Sequence, residues 1–174
     1  CEYYVIDAGW YAPGEWWDSV GEWKECRDRF PNGIKEVTDY IRKKGMVPGV
    51  WLELEVMGIN CEKAKKVPDD WFFVRHGKRV YDRSRYQLDF RNPAVIEYVN
   101  EVIDRVVKEY GVGYIKMDYN IEPGIGTEIG AESVGQGLLE HEKAYLNWLD
   151  GVFACYPDLV IENCSSGGLR MDYA

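Results

Sequence analysis

Apolar residues along the chain recur with two periods, the alternation of strands and the 3.6-residue spacing of helices, and the two take turns. Tyr3 to Asp7 reads as a first strand, followed by a long loop rich in Gly, Trp and Pro through Pro31. From about Gly33 to Lys44, Ile34, Val37, Tyr40 and Ile41 fall at helical spacing, with Asn32 as the expected N-cap and Gly45 just past the end. Met46 to about Leu54 is a second strand. Asn60 to Val67 reads as a short helix, and Trp71 to Tyr81 as a hairpin turning at His76-Gly77-Lys78. Tyr86 to Phe90 is expected as a third strand. Asn92-Pro93 then opens a helix carried by Val95, Val99, Val102, Ile103 and Val106 and ended by Gly111. The strand leading to Asp118 comes next, then a segment with Gly124, Gly126, Gly130, Gly135 and Gly137, a helix to about Ala154, and a last strand, Leu159 to Asn163.

Repetition of strand, loop, helix, strand predicts parallel strands joined by right-handed crossovers. The long loops follow strands rather than helices, which points to a TIM (β/α)8-type barrel with its site at the carboxyl ends of the strands. About five β/α units are present, and a complete barrel takes roughly 250 residues. The expected architecture is therefore an incomplete barrel, one catalytic domain over residues 1–174 cut at both ends, and the start at Cys1 without a methionine fits a piece of a longer protein. A doubly wound sheet is the alternative, but no Gly-rich dinucleotide turn follows the first strand.

Composition narrows the partners. A net charge of −9, with Lys and Arg scattered among the acids, disfavours nucleic acid, and no apolar run is long enough to cross a bilayer. Five cysteines without CxxC spacing indicate neither a zinc site nor a full disulfide framework, so a reducing, cytoplasmic setting is expected. Trp10, Tyr11, Trp16, Trp17 and Trp23 cluster near loops, where rings beside polar groups suit a sugar face; core packing is the more frequent reason for such residues. His76 and His141 lack the spacing of metal ligands. The glycines from 124 to 137 lack the ending of a phosphate loop and read as a mobile rim.

The most informative stretch is Tyr114-Ile115-Lys116-Met117-Asp118-Tyr119-Asn120. Side chains alternate along a strand, so Lys116 shares a face with Asp118 and is expected to favour the ionised carboxylate a nucleophile needs. Other strand ends carry Asp7, Glu53 and Glu55, Asp89, and Glu162 to Cys164. One such acid caps a helix or pairs with Arg as often as not, but acids at five strand ends form a pattern. Two chemistries use it: a magnesium-dependent lyase or racemase with a lysine base, and glycoside hydrolysis by a carboxylate pair. The tryptophans favour sugar.

Five blocks then carry a resemblance. They are Tyr4-Val5-Ile6-Asp7-Ala8-Gly9-Trp10, Pro48-Gly49-Val50-Trp51-Leu52-Glu53-Leu54-Glu55, Leu88-Asp89-Phe90-Arg91-Asn92-Pro93, the Lys116–Asn120 block, and the run from Glu162 through Cys164-Ser165-Ser166-Gly167-Gly168 to Asp172. In this order they resemble the α-galactosidases of glycoside hydrolase family 36, the melibiase group. The resemblance implies a retaining double displacement with Asp118 as nucleophile. It places Lys116 and Asn120 in the same subsite, gives Asp7 and Trp51 to the galactosyl ring, and sets Cys164 and Gly167 against the sugar. It implies no metal or organic cofactor, a small carbohydrate substrate, and room for a homo-oligomeric parent protein.

The chain departs from the family pattern in four places. Ala8 stands where many members have a second aspartate, so one hydroxyl contact is in doubt, and an α-N-acetylgalactosaminidase stays open beside the α-galactosidase. Leu54 replaces a frequent proline. Arg83 and Arg85 compete for one family arginine. The family's acid/base lies beyond the cysteine and glycine block, and Asp172 is read as a structural acid paired with Arg170 or a helix end rather than as its substitute. A proton donor outside this chain is therefore expected, and with it an inactive piece, with a non-catalytic sugar-binding fragment as the alternative outside enzymology.

Overall fold

The computed structural model describes residues 1–11 and 14–170. Its centre is a four-stranded, all-parallel sheet of β1 (Tyr3–Ile6), β2 (Val47–Leu52), β8 (Tyr114–Met117) and β9 (Val160–Asn163), in that spatial order. Helix α1 (Ile34–Lys43) links β1 to β2, α3 (Pro93–Asp104) precedes β8, and α4 (Val134–Cys155) links β8 to β9. The outer strands β1 and β9 do not meet, so among the described residues the sheet is open and parallel, not a closed barrel.

Alternation divides the sheet. Val50, Leu52, Ile115 and Met117 are buried under the helices together with Val99, Val102, Ile103, Trp148 and Val152. The opposite face carries Asp7, Trp51, Lys116 and Asp118 at the strand ends, because pairing puts Trp51 level with Lys116. Gly49 lets the strands approach on that face: an added Cβ would lie 2.9 Å from Val5 and 3.0 Å from the Tyr114 carbonyl. Tyr3 and Tyr114 close over the gap with ring centroids 5.0 Å apart.

Helix ends follow the sequence in one case and not in another. The Asn92 side chain accepts from the Ala94 N–H with Pro93 in the first turn, as expected; Asn92→Ala is expected to cost about 1 kcal/mol, visible as a lower Tm. For α1 the expected cap is corrected. Gly33 is the N-cap at φ 87°, with no side-chain cap, and Asn32 turns its amide to Glu36 instead. After α3, Arg105–Glu109 form a π-helical turn that ends before Gly111, which has φ 70°.

The third expected strand is corrected too. Between β2 and α3 the chain makes an excursion: β3 (Val56–Gly58), the short helix α2 (Glu62–Lys66), the hairpin β4 (Val74–Arg75) and β5 (Lys78–Arg79), then β6 (Tyr81–Asp82) and β7 (Arg85–Gln87). Strand β7 pairs antiparallel with β3 and β6, so the stretch read as a barrel strand belongs to a separate small sheet. The hairpin at His76-Gly77 forms as expected. Gly135 and Gly137 lie inside α4 rather than in a loop, and Gly137 is needed for contact, since a Cβ there would come within 2.4 Å of the Thr127 carbonyl. The segment before α4 is tied to the hairpin by Arg75, which donates to the carbonyls of Pro123 and Gly126, and by Glu128, which accepts from the His76 and Gly77 N–H groups.

Candidate active site

Asp118 follows directly on β8 and is 8% exposed. Its N–H donates to the Leu52 carbonyl at 2.8 Å, which keeps it in strand register with β2. One carboxylate oxygen, Oδ1, accepts from the Tyr119 N–H at 2.8 Å, and the other, Oδ2, from Trp51 Nε1 at 3.0 Å. Burial alone would raise the Asp118 pKa. Hydrogen bonds from Asn120, Trp51, the Tyr119 N–H and Cys164 outweigh it and hold the carboxyl below its ordinary value. Cys164 is the mirror case: burial and the neighbouring Asp118 carboxylate keep its thiol protonated and raise its pKa, against a backbone hydrogen bond from Gly167.

Lys116 sits elsewhere than expected. Its Nζ reaches across the Trp51 level to Asp7 Oδ2 at 3.1 Å, making a half-exposed ion pair at the rim. Burial opposes the charge on Lys116, but the hydrogen bond and charge of Asp7 raise its pKa, while Asp118 adds only a small further pull. The ionised state of Asp118 is thus set chiefly by hydrogen bonds, a correction to the cation reading. Asp7 and Lys116 together present an acceptor and a charged donor side by side, the complement of vicinal hydroxyls.

Trp51 is held as a wall. Its carbonyl accepts from Trp10 Nε1 at 2.9 Å, Tyr11 stacks on its ring at 6.1 Å, and Trp16 meets it edge-on at 5.9 Å. Of the clustered aromatics, Trp10, Tyr11 and Trp23 are core, each 1% exposed, and Trp16 is the ring left 39% open beside the site. Replacing Trp51 by Phe keeps the ring and deletes the donor. In the full-length protein we expect the acid limb of kcat/KM to move to higher pH and kcat/KM to fall about tenfold, the value of one charge-assisted hydrogen bond. An unmoved acid limb would show that the indole N–H does not act on Asp118.

The loop after β9 completes the cluster. Cys164 donates its N–H to the Met117 carbonyl, and the Ser165 hydroxyl donates to the Tyr119 carbonyl at 2.6 Å. The Ser166 hydroxyl reaches Asn120 Oδ1 at 3.0 Å, and the turn needs left-handed backbone at Ser166 and Gly167, with φ 42° and 93°. Sequence reasoning missed both serines as partners of the Asp118 segment, although the Cys-Ser-Ser-Gly-Gly run was their signal.

The structure brings Asp7, Trp51, Lys116, Asp118, Asn120, Cys164 and Gly167 to one rim, but of the strand-end acids only Asp7 and Asp118 are in this set; Glu162 accepts from the Tyr114 hydroxyl instead. Asp89 pairs with Arg91 Nη2 at 2.6 Å. Glu55 is buried against Arg170 at 2.5 Å and His141 at 3.5 Å. Burial would raise its pKa, but those two partners more than offset it and keep it low. Arg170 thus has a partner in Glu55; Asp172 lies outside the described residues. Of the two arginines, Arg83 is surface-exposed near Asn120, and Arg85 is wholly buried against Glu53. Among the described residues no three His, Cys, Asp or Glu side chains gather as a metal cage requires, and no helix is long and apolar enough to cross a membrane.

The family model described as Melibiase matches residues 1–174. The chain belongs to the melibiase family. It is 28% identical over 174 residues to the α-galactosidase Mel36A of Lactobacillus acidophilus, covering 98% of this chain and 24% of that protein. It is 31% identical over 179 residues to the α-galactosidase AgaA of Geobacillus stearothermophilus, again covering 98% and 24%. The crystal structure of that GH36 enzyme superposes with a TM-score of 0.85 at 28% identity, covering 98% of this chain and 24% of that one. A second structure of AgaA, in complex with stachyose, gives a TM-score of 0.84 at 27% identity over 97% of this chain and 24% of the other. The melibiase chain described here therefore spans about a quarter of the length of these relatives.

Proposed function

We propose that the protein containing these residues is a retaining α-galactosidase and that Asp118 is its nucleophile. The observation that carries the reading is a carboxylate held ionised at the end of a central parallel strand, bonded to the Trp51 wall and on the same face of the sheet as the Asp7–Lys116 pair. The four-stranded sheet is then one part of a (β/α)8 barrel extending beyond both outer strands. Asp118 attacks the anomeric carbon of a terminal α-galactosyl group, the bond from that carbon to the leaving oxygen breaks, and a second carboxylic acid gives that oxygen its proton. Water, deprotonated by the same group, now a carboxylate that regains its proton, then displaces Asp118 and releases galactose with its configuration retained.

Asp7 and Lys116 bind ring hydroxyls in this reading, Trp51 and Asn120 orient the carboxylate, and Cys164 and Gly167 border the sugar. Of the acids near Asp118, Asp7 is committed to Lys116 and Glu53 to Arg85. We therefore place the donor in the part of the relatives' length that this chain does not span. The 174 residues alone are expected to release no galactose. The AgaA complexes with stachyose and raffinose support an α-galactoside of the raffinose type as substrate. Five free thiols support a reducing, cytoplasmic setting for the parent protein.

The test is hydrolysis of an aryl α-galactoside by the full-length protein, followed by NMR. α-Galactose as the first product, with a rate indifferent to chelator, is the expected result. The β-anomer appearing first would rule out double displacement.

A further inference from the structure

Glu53, one residue past β2, is fully buried, and so is its partner Arg85. Glu53 Oε2 lies 2.5 Å from Arg85 Nη1, while Oε1 accepts the backbone N–H of Asn120 at 2.6 Å. Arg85 in turn donates from Nε to the Trp17 carbonyl at 2.9 Å and lies 3.6 Å from the centre of the Trp17 ring. Among the described residues neither Nη1 nor Nη2 of Arg85, nor Glu53 Oε2, is in hydrogen-bond geometry with a partner, so the pair is a contact of charges. Burial, opposed by Arg85 and the Asn120 N–H and reinforced by Asp118 and Glu55, pushes the Glu53 pKa up to about 7.

Buried ion pairs are poor stabilisers, since apolar side chains of equal volume often serve a core as well or better. This one holds the main chain two residues past the candidate nucleophile. Asn120, whose main chain Glu53 fixes, lies two residues past Asp118, and the Tyr119 N–H between them donates to Asp118 Oδ1. The charged and titratable groups facing Asp118 are Lys116 on its own strand, Glu53 after β2, Arg85 in β7 and Cys164 after β9.

We infer that Glu53 is a positioning residue for the reaction: its Oε1 fixes the main chain at Asn120, two residues past Asp118, and so holds the segment that carries the carboxylate, and Arg85 is the counter-charge that permits Glu53 to be buried there. The inference rests on the reading of Asp118 as nucleophile. Its content is the oxygen on the Asn120 N–H, not the charge, and two variants of the full-length protein separate these. Glu53→Asp keeps a carboxylate for Arg85 and withdraws the oxygen from Asn120. Glu53→Gln with Arg85→Met keeps an oxygen for Asn120 and removes both charges.

In Glu53→Asp, hydrogen exchange at the Asn120 amide is expected to accelerate about tenfold or more, kcat to fall about tenfold with KM changed by about twofold at most, and the acid limb of kcat/KM to move to higher pH. The double variant is expected to keep the Asn120 amide protected and to hold the acid limb below that of Glu53→Asp. Native exchange and an unmoved limb in Glu53→Asp would overturn the inference, as would a double variant equal to Glu53→Asp in both. Should the double variant not fold, Glu53→Asp decides by the same two readouts. Exchange is read without turnover, so a protein that cleaves no α-galactoside would refute the nucleophile reading and still show whether Glu53 holds Asn120.

Discussion

Asp118→Asn in the full-length protein is expected to reduce kcat on an aryl α-galactoside by on the order of 10⁴-fold, the scale on which removal of a covalent nucleophile is felt. The substitution is nearly isosteric. The single amide oxygen accepts from Trp51 Nε1 or from the Tyr119 N–H but not from both, so one hydrogen bond is lost while the shape that the core packs against is kept. Asp118→Ala makes a sharper case. A small anion such as azide, admitted to the space left by the carboxylate, attacks the anomeric carbon from the nucleophile's side and gives the β-galactosyl azide in a single inversion. Recovery of that product identifies the face from which Asp118 acts. An Asp118→Asn protein that keeps more than about a hundredth of the activity would end the assignment.

The same residue fixes a pH expectation. The folded pKa of Asp118 lies below its ordinary value of 3.8, so its ionised form stabilises the folded state at any pH above 3.8, and that contribution disappears as pH falls through the lower folded value. In Asp118→Asn the contribution is absent throughout. Tm of the variant should therefore fall less steeply than that of the unmodified protein on acidification below 3.8. Equal slopes would mean that the hydrogen bonds from Asn120, Trp51, Tyr119 and Cys164 do not favour the charged form.

Period and spacing made the parallel units legible because each has an apolar strand, a helix with a marked end and a polar residue where the strand stops. They failed where two structures share one pattern. The stretch Tyr86 to Phe90 has the period of a strand, but period says nothing of which sheet the strand joins, and pairing with β3 and β6 took it out of the parallel sheet. Lys116 shares a face with Asp118, as alternation requires, yet a long side chain is not bound to its neighbour two residues on. Strands about 4.8 Å apart put Asp7, two strands over, within reach of its ammonium group. The acids at the strand ends divided by burial: Glu53, Glu55 and Asp89 went inward with Arg85, Arg170 and Arg91, and for Glu53 and Glu55 the partners that decided it are distant in sequence. The rim residues nominated by the family blocks did assemble, because those blocks record positions brought together by the fold rather than by local propensity.

Gly58→Ala is expected to be the most damaging single methyl in the molecule. A Cβ at that position would lie 1.9 Å from the Asp18 carbonyl oxygen and 2.2 Å from its carbon. Both are backbone atoms, so no side chain can swing aside. The contact is also pinned from both sides, by the Gly58 N–H on the Val20 carbonyl at 2.8 Å and the Asn60 N–H on the Asp18 carbonyl at 3.0 Å. Relief requires the loop to back away from β3, and that loop carries Trp17 against Arg85 and Trp16 against Trp51. The cost should reach about 3 kcal/mol, the upper range of overpacking, and what folded protein remains should have lost activity through the loosened Trp51 wall. Gly135→Ala supplies the contrast. It sits near the start of α4 with no atom within 4 Å of an added Cβ, and alanine there should stabilise by about 0.5–1 kcal/mol. Thermal melts of the two variants should move in opposite directions, and a Gly58→Ala protein melting with the unmodified one would mean that the loop bearing Trp16 and Trp17 does not rest on β3 in solution.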